Sequence, residues 1–369
     1  MRGNLFRRVQ VPLWLGTVVM VLALVLARNT KGRTLNVGSE KHSSSPKPSA
    51  EISAADALER SSESLRIQPT PSRCAQHPQK ASTPISSRVE SIFSWLADRQ
   101  SKDGSWGDFK ATVSSYEYTK QSATALALLT FLGTGEGDRS ARLLNHKPLR
   151  QIIRQGLNWL EDNPASDPLS VALVATAFLQ NYEMREGDGK RKEVAQGALD
   201  RLLSMQMEDG SWGHDSYVTS LAAEALLSAH SSELLKPGEH RDRASAFLRE
   251  GLRKGDTMAG SGFVLLTGDR DDICLLSASN QIASSPPAWT MEDYSAWYVN
   301  SLTLFHARGK DSEVWKSWDE HFRAMTESME PAMFTWLGEE GTTAGVVKNS
   351  LIALSLEVSY RYRVGSLAK

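Results

Sequence analysis

Residues 269–272 read Asp-Arg-Asp-Asp, three carboxylates within four positions, inside the stretch GSGFVLLTGDRDDICLL (260–276). Acids packed this closely in a dry cavity raise one another's pKa and leave one of them protonated, a proton donor at neutral pH. The same spelling suits a solvated helix start, where acids lie favourably against the helix dipole. Asp269, Asp271 and Asp272 therefore carry two readings, one catalytic and one structural. Other chemistry-bearing motifs are missing from the sequence: it has no phosphate-binding glycine loop, no H-E-x-x-H and no G-x-S-x-G. Scattered histidines such as His214 and His230 read as surface or capping residues.

The elements that must position such acids are helices. Residues 100–107 read QSKDGSWG and residues 206–213 read QMEDGSWG, an internal repeat. Before the first copy, Val89, Ile92, Phe93 and Leu96 fall at i, i+3, i+4 and i+7, the buried stripe of an amphipathic helix. After it, QSATALALLTFL is apolar or small around nearly its whole circumference, so other elements must cover it on several sides. The alternation continues. RQIIRQGLNWL (150–160) and EVAQGALDRLLSM (193–205) are amphipathic, whereas LSVALVATAFL (169–179) and VTSLAAEALLSA (218–229) are small and apolar. RASAFLREGL (243–252) again carries a stripe, through Ala244, Phe247, Leu248 and Leu252. Strand signals are almost absent. No outer helix is evident between LLSASNQIA (275–283) and EDYSAWYVNSLTLF (292–305), so the alternation is expected to be incomplete or irregular there.

In the repeated turn, Asp103-Gly104 and Asp209-Gly210 are turn dipeptides, with glycine free to take positive φ. Trp106 and Trp212 offer large faces for packing on the neighbouring hairpin. Gln100 and Gln206 follow the amphipathic helices, where an amide satisfies unpaired backbone groups. These eight residues read as staples.

QSKDGSWG and QMEDGSWG resemble the QW repeats of squalene and oxidosqualene cyclases, whose single barrels are akin to the β subunits of protein prenyltransferases. The resemblance covers about residues 86–363. Its C-terminal part, DYSAWYVNSLTLF with WKSWDEHF and NSLIALSLEVSYRY, is similar to bacterial proteins carrying prenyltransferase or squalene oxidase repeats. It implies an all-α fold, an α/α toroid of paired inner and outer helices around a central cavity. DRDD matches the D-x-D-D motif of class II terpenoid cyclases, which implies Asp271 as proton donor with Asp269 and Asp272 beside it. Carbocation chemistry also wants aromatic faces, and Trp289, Tyr294, Trp297 and Tyr298 are candidates to line such a cavity. Asp272 and Cys274 match the Asp-x-Cys pair that holds zinc in protein prenyltransferases. The third ligand, a late histidine, is missing from TTAGVVKNSLIAL, and His306 and His321 lie elsewhere in the pattern. A catalytic zinc takes three protein ligands, so no cofactor is expected and Cys274 reads as a small buried hydrophobe.

Intact repeats with eroded catalytic equipment predict a non-catalytic binding or scaffold module for an apolar, isoprenoid-like ligand or a partner peptide. The alternatives are a terpenoid cyclase using Asp271 as general acid and a zinc-dependent prenyltransferase-like enzyme.

The 369 residues carry a formal net charge of -1, which leaves no electrostatic footprint for nucleic acid. Two cysteines, Cys74 and Cys274, make no disulfide framework. A basic tail (1–10) precedes an uncharged run, VPLWLGTVVMVLALVLA (11–27), at the lower length limit for a transmembrane anchor. Val25 and Ala27 also suit a signal-peptide cleavage site. Residues 28–85, rich in Ser, Pro, Lys and Glu, bury too little apolar surface to offset ordering entropy and are expected to form a disordered linker. The sequence thus predicts a single-pass membrane protein displaying its helical domain outside the cytoplasm, with a short tail at 364–369.

Overall fold

The first apolar stripe forms α1 (Ser87–Arg99), which buries Val89, Ile92, Phe93 and Leu96. The wholly apolar segment after it forms α2 (Lys120–Gly133), buried without interruption from Ser122 to Leu132. This computed structural model describes residues 87–184, 188–236, 238–328 and 341–361. The basic tail, the anchor at 11–27, the linker at 28–85 and the tail at 364–369 lie outside the described residues. Among the described residues, no helix is long and apolar enough to cross a membrane.

The protein is all-α, and its helices alternate in character. Pairs follow in order: α3 (Leu149–Asp162) with α4 (Pro168–Glu183), α5 (Gly189–Ser204) with α6 (Ser216–Ser231), and α7 (Glu239–Arg253) with α8 (Gly260–Thr267). Then come α9 (Ile273–Ala283) with α10 (Tyr294–Arg308), and α11 (Glu313–Glu327) with α12 (Thr343–Arg361). Odd-numbered helices bury one stripe; α5 buries only Ala195, Leu199 and Leu202. Even-numbered helices are buried nearly all round, because each packs against two others of its kind. The contacts run α2–α4–α6–α8–α10–α12 and return from α12 to α2, a closed cycle, with the odd helices packed outside it.

Side-chain caps place the inner helices. Thr119 and Ser122 form a reciprocal capping box on α2. Asp167, Asp215 and Asp293 accept the N–H groups of Ser170, Val218 and Ala296 at 2.8, 3.0 and 3.2 Å. Each such cap satisfies a donor the helix leaves open.

The expected gap in the alternation is absent. GSGFVLLT is itself the inner helix α8, fully buried from Gly260 to Leu266. Residues 273–283 form an outer helix, burying Leu275, Ala278, Ser279 and Ile282 at i, i+3, i+4 and i+7. The glycines of GSGF serve packing: a Cβ on Gly262 would sit 2.7 Å from the Ser220 Cα on α6, and one on Gly260 2.6 Å from the Thr303 methyl on α10. An eight-residue helix is too short to show its period in sequence, so α9 reads there as the inner element.

Two short hairpins also escape the sequence pattern. β1 (Ala111–Val113) pairs antiparallel with β2 (Tyr116–Tyr118), and β3 (Leu143–Leu144) with β4 (Lys147–Pro148). Their two-residue turns have positive φ at both positions, Ser114 (49°) and Ser115 (70°), then Asn145 (48°) and His146 (66°). That geometry normally favours Asn-Gly, which explains why Ser-Ser gave no signal.

Candidate functional site

The repeated turns adopt one geometry twice. Gln100 Nε2 donates to the carbonyls of Gly104 and Ile152, both at 2.9 Å. Gln206 Nε2 donates likewise to Gly210 (2.9 Å) and His240 (2.8 Å). Each glutamine ties the end of one outer helix to the first turn of the next, α1 to α3 and α5 to α7. Trp106 and Trp212 are fully buried, their indole N–H groups donating at 2.7 Å to Leu96 and Leu202. Asp103 and Asp209 accept the N–H groups of Ser105 and Ser211, both at 3.0 Å. Gly104 and Gly210 have φ of 97° and 89°, and a Cβ on either would collide with the carbonyl of Gln155 or Arg243. All eight residues are thus committed to joining helices.

The acidic segment lies in the α8–α9 loop. Asp269 and Asp271 are exposed, and the Asp271 N–H donates to Asp269 at 3.2 Å. Asp272 is buried as the N-cap of α9, where Oδ1 accepts from the Cys274 and Leu275 N–H groups at 2.8 and 3.2 Å. Its Oδ2 takes the Arg249 guanidinium at 2.8 Å. The helix-start reading describes this geometry. Asp271 therefore faces solvent in that loop, and of the three acids only Asp272 is taken into the packing. Both Asp272 oxygens are engaged by donors, and Cys274 packs partly buried against the core. Among the described residues, no group of three His, Cys, Asp or Glu could hold a metal ion. His321 instead bonds the Pro287 carbonyl at 2.9 Å.

The four aromatic candidates separate. Trp297 packs edge-on against Trp289, Tyr294 and Phe322, with centroids 5.5, 4.8 and 5.9 Å away, while the Trp289 indole donates to the Met325 carbonyl at 3.1 Å. These three therefore fill the seam between α10 and α11. They do not surround Asp271, which precedes α9 while Trp289 follows it; eleven helical residues span roughly 16 Å. Tyr298 alone points away from that cluster, and its hydroxyl donates to Glu224 Oε2 at 2.8 Å.

That bond belongs to a set of polar groups inside the cycle that sequence reasoning missed. Glu224 stands in the middle of α6 among Ala and Leu and is 5% exposed. At the N-terminal ends of the inner helices, the Tyr118 hydroxyl lies 2.9 Å from that of Tyr217 and 2.8 Å from Ser295 Oγ. Tyr118 directly precedes the cap of α2, Tyr217 opens α6 and Ser295 opens α10. Those helices alternate around the cycle, so the bonds cross it. Burial pushes the Tyr118 phenol up to about 12 and raises Tyr217 as well, so both stay protonated. The β1–β2 hairpin covers this node: Tyr116 packs on Tyr217 at 4.4 Å, and Ser114 Oγ donates to the Glu292 carbonyl at 3.3 Å. Near the other end, Glu357 on α12 is fully buried, and neither carboxyl oxygen has a hydrogen-bond partner among the described residues. Gly133 leaves room for it, since a Cβ there would collide with Oε2. A lone glutamate in an apolar helix was the available signal for Glu224 and Glu357.

Among the described residues, two of the concavities lie between outer and inner helices. One, of about 200 Å³, lies among α9, α10 and α11, with Trp297, Trp318 and Asn300 in its wall. The other, of about 230 Å³, lies among α3, α4 and α5 and is lined chiefly by Val, Ala, Leu and Phe. Compared with known protein families the chain matches none, and no curated protein matches it either.

Proposed function

We propose that the chain is a membrane-tethered binding module of the α/α-toroid kind, which holds an apolar ligand of isoprenoid or acyl type and carries out no reaction on it. The toroid reading is supported by the strict alternation of outer and inner helices and by the contact that returns from α12 to α2. The tether rests on the apolar run at 11–27 alone. The observation that carries the non-catalytic reading is the exposure of Asp271, joined to an interior crossed by the Tyr118–Tyr217 and Glu224–Tyr298 bonds. A cyclase needs its acid in a water-excluded chamber beside the substrate. Here the acid is wet and the space across the inner helices holds side chains bonded to one another.

Solvent extraction of the purified full-length chain, followed by mass spectrometry, tests this. The expected result is an apolar compound in near-stoichiometric amount. Repeated recovery of the chain without any such compound would overturn it.

A further inference from the structure

We propose that the cleft between α3 and α5 is the place where the ligand binds, that it takes the alkyl chain of a fatty-acid-type monocarboxylate, and that Arg201 receives the carboxylate. This deepens the binding-module reading and rests on it.

The floor of the cleft is one face of α4. Val171, Val174 and Phe178 fall at i, i+3 and i+7, an apolar strip on the order of 10 Å long. Leu160 at the end of α3 and Ala198 on α5 stand on either side of it. At about 230 Å³ the space is smaller than pockets for drug-sized ligands, which run from roughly 300 Å³ upward. An apolar space of that size accommodates a short unbranched chain.

Gly197 is the second observation. It lies in the interior of α5, where glycine is the poorest helix former after proline, and a Cβ built on it meets nothing within 4 Å. The position faces the cleft and adds no side chain to it. Gly156 on α3 contrasts with this, since a Cβ there would meet Trp106 and Leu128 at 2.8 and 2.9 Å. Close packing demands the one glycine, and open space accompanies the other.

Charge names the head group. Glu161 on α3 is drawn to Lys190 on α5 at 3.7 Å, a bridge between the two walls. Arg201 lies eleven residues further along α5, about 16 Å on. It borders the same cleft, and its guanidinium has no acceptor among the described residues. An apolar trough with an open guanidinium at its edge complements an alkyl carboxylate, which arginine can bind in a bidentate manner.

Photolabelling of the full-length chain with diazirine-bearing decanoic acid, and with the matching alcohol, tests the assignment. Gly197→Leu should fill the trough without strain and leave unfolding unchanged or shifted upward. It is expected to cut labelling at least tenfold. Arg201→Gln should weaken labelling by the acid about tenfold and leave the alcohol unchanged. Label mapped to residues 160–178 and 194–201 in the parent, and lost in Gly197→Leu, supports the proposal. Label placed elsewhere, or insensitive to Gly197→Leu, overturns the cleft while leaving an apolar-ligand module standing. Arg201→Gln labelling the acid as well as the parent does overturns the carboxylate assignment. No label from either probe at saturation overturns the cleft and the apolar-ligand reading together.

Discussion

Tyr118 and Tyr217, 99 residues apart in the chain, meet hydroxyl to hydroxyl at 2.9 Å and are both completely buried. One stands before α2 and the other opens α6, so their bond spans the inner helices. Removing the Tyr217 hydroxyl takes one of two bonds from Tyr118, which keeps Ser295 at 2.8 Å, so the loss is that of a single hydrogen bond, about 0.5–1.5 kcal/mol. Tyr217→Phe is therefore expected to lower unfolding stability by that order. In a double-mutant cycle with Tyr118→Phe, urea denaturation should show a coupling of about 0.5–1.5 kcal/mol. Strict additivity would mean the hydroxyls do not act on each other.

The cycle closes through a reciprocal pair at the junction of first and last repeats. Asp108 N–H donates to Thr343 Oγ1 at 3.1 Å, and Thr343 N–H donates to Asp108 Oδ1 at 3.0 Å. Gly107 beside them has φ of 82°, and a Cβ would strike Thr343. Thr343→Val keeps the shape and removes the hydroxyl, and is expected to cost about 1 kcal/mol. Gly107→Ala is expected to cost more, on the order of 2–4 kcal/mol, from backbone strain plus collision. Hydrogen exchange at the N-terminus of α12 should rise in both variants. Unchanged exchange there would show that the pair does not hold the closure.

Asp271 and Asp272 should separate cleanly by stability. Asp271→Ala removes an exposed side chain and is expected to shift stability by less than about 0.5 kcal/mol. Asp272→Ala removes the cap of α9 and the partner of Arg249, and is expected to cost about 1–2 kcal/mol. Thermal unfolding of the two variants checks this, and equal effects would contradict the assigned roles.

Burial holds the Glu357 carboxyl well above its ordinary value of 4.5, with the Arg361 charge pulling the other way. Between the ordinary and the raised value the folded chain binds more protons than the unfolded chain. The sign follows: this contribution is fully present below 4.5 and is lost as pH rises toward the raised value. Glu357→Gln cannot ionise, so its stability is expected to gain on the parent as pH rises from 4.5 to the raised value, and to keep that gain beyond it. Urea unfolding from about pH 4 to about pH 8 reads the difference. Parallel profiles for parent and variant would contradict a buried neutral acid at Glu357.

Local spelling carried much of the architecture. QSKDGSWG and QMEDGSWG announce their turns because glycine, tryptophan and glutamine each meet a geometric demand that few other residues satisfy. The stripe from Val89 to Leu96 announces α1 because its period is long enough to read. α8 was hidden by its eight residues, and α9 then took its place in the reading. The chemistry of Asp271 was illegible for a different reason. Whether an acid is wet or dry depends on how α8 and α9 dock, which the letters DRDD do not encode. Glu224 and Glu357 looked like interruptions in apolar segments until the cycle surrounded them, and the Arg201 cleft arises from a spacing between two outer helices that neither helix specifies alone.

Incubation of the full-length chain with squalene and shorter polyprenyl substrates, alongside Asp271→Asn, bears most directly on binding without reaction. Every substrate is expected back chemically unchanged from both proteins. A cyclised product formed by the parent and abolished in Asp271→Asn would contradict the account.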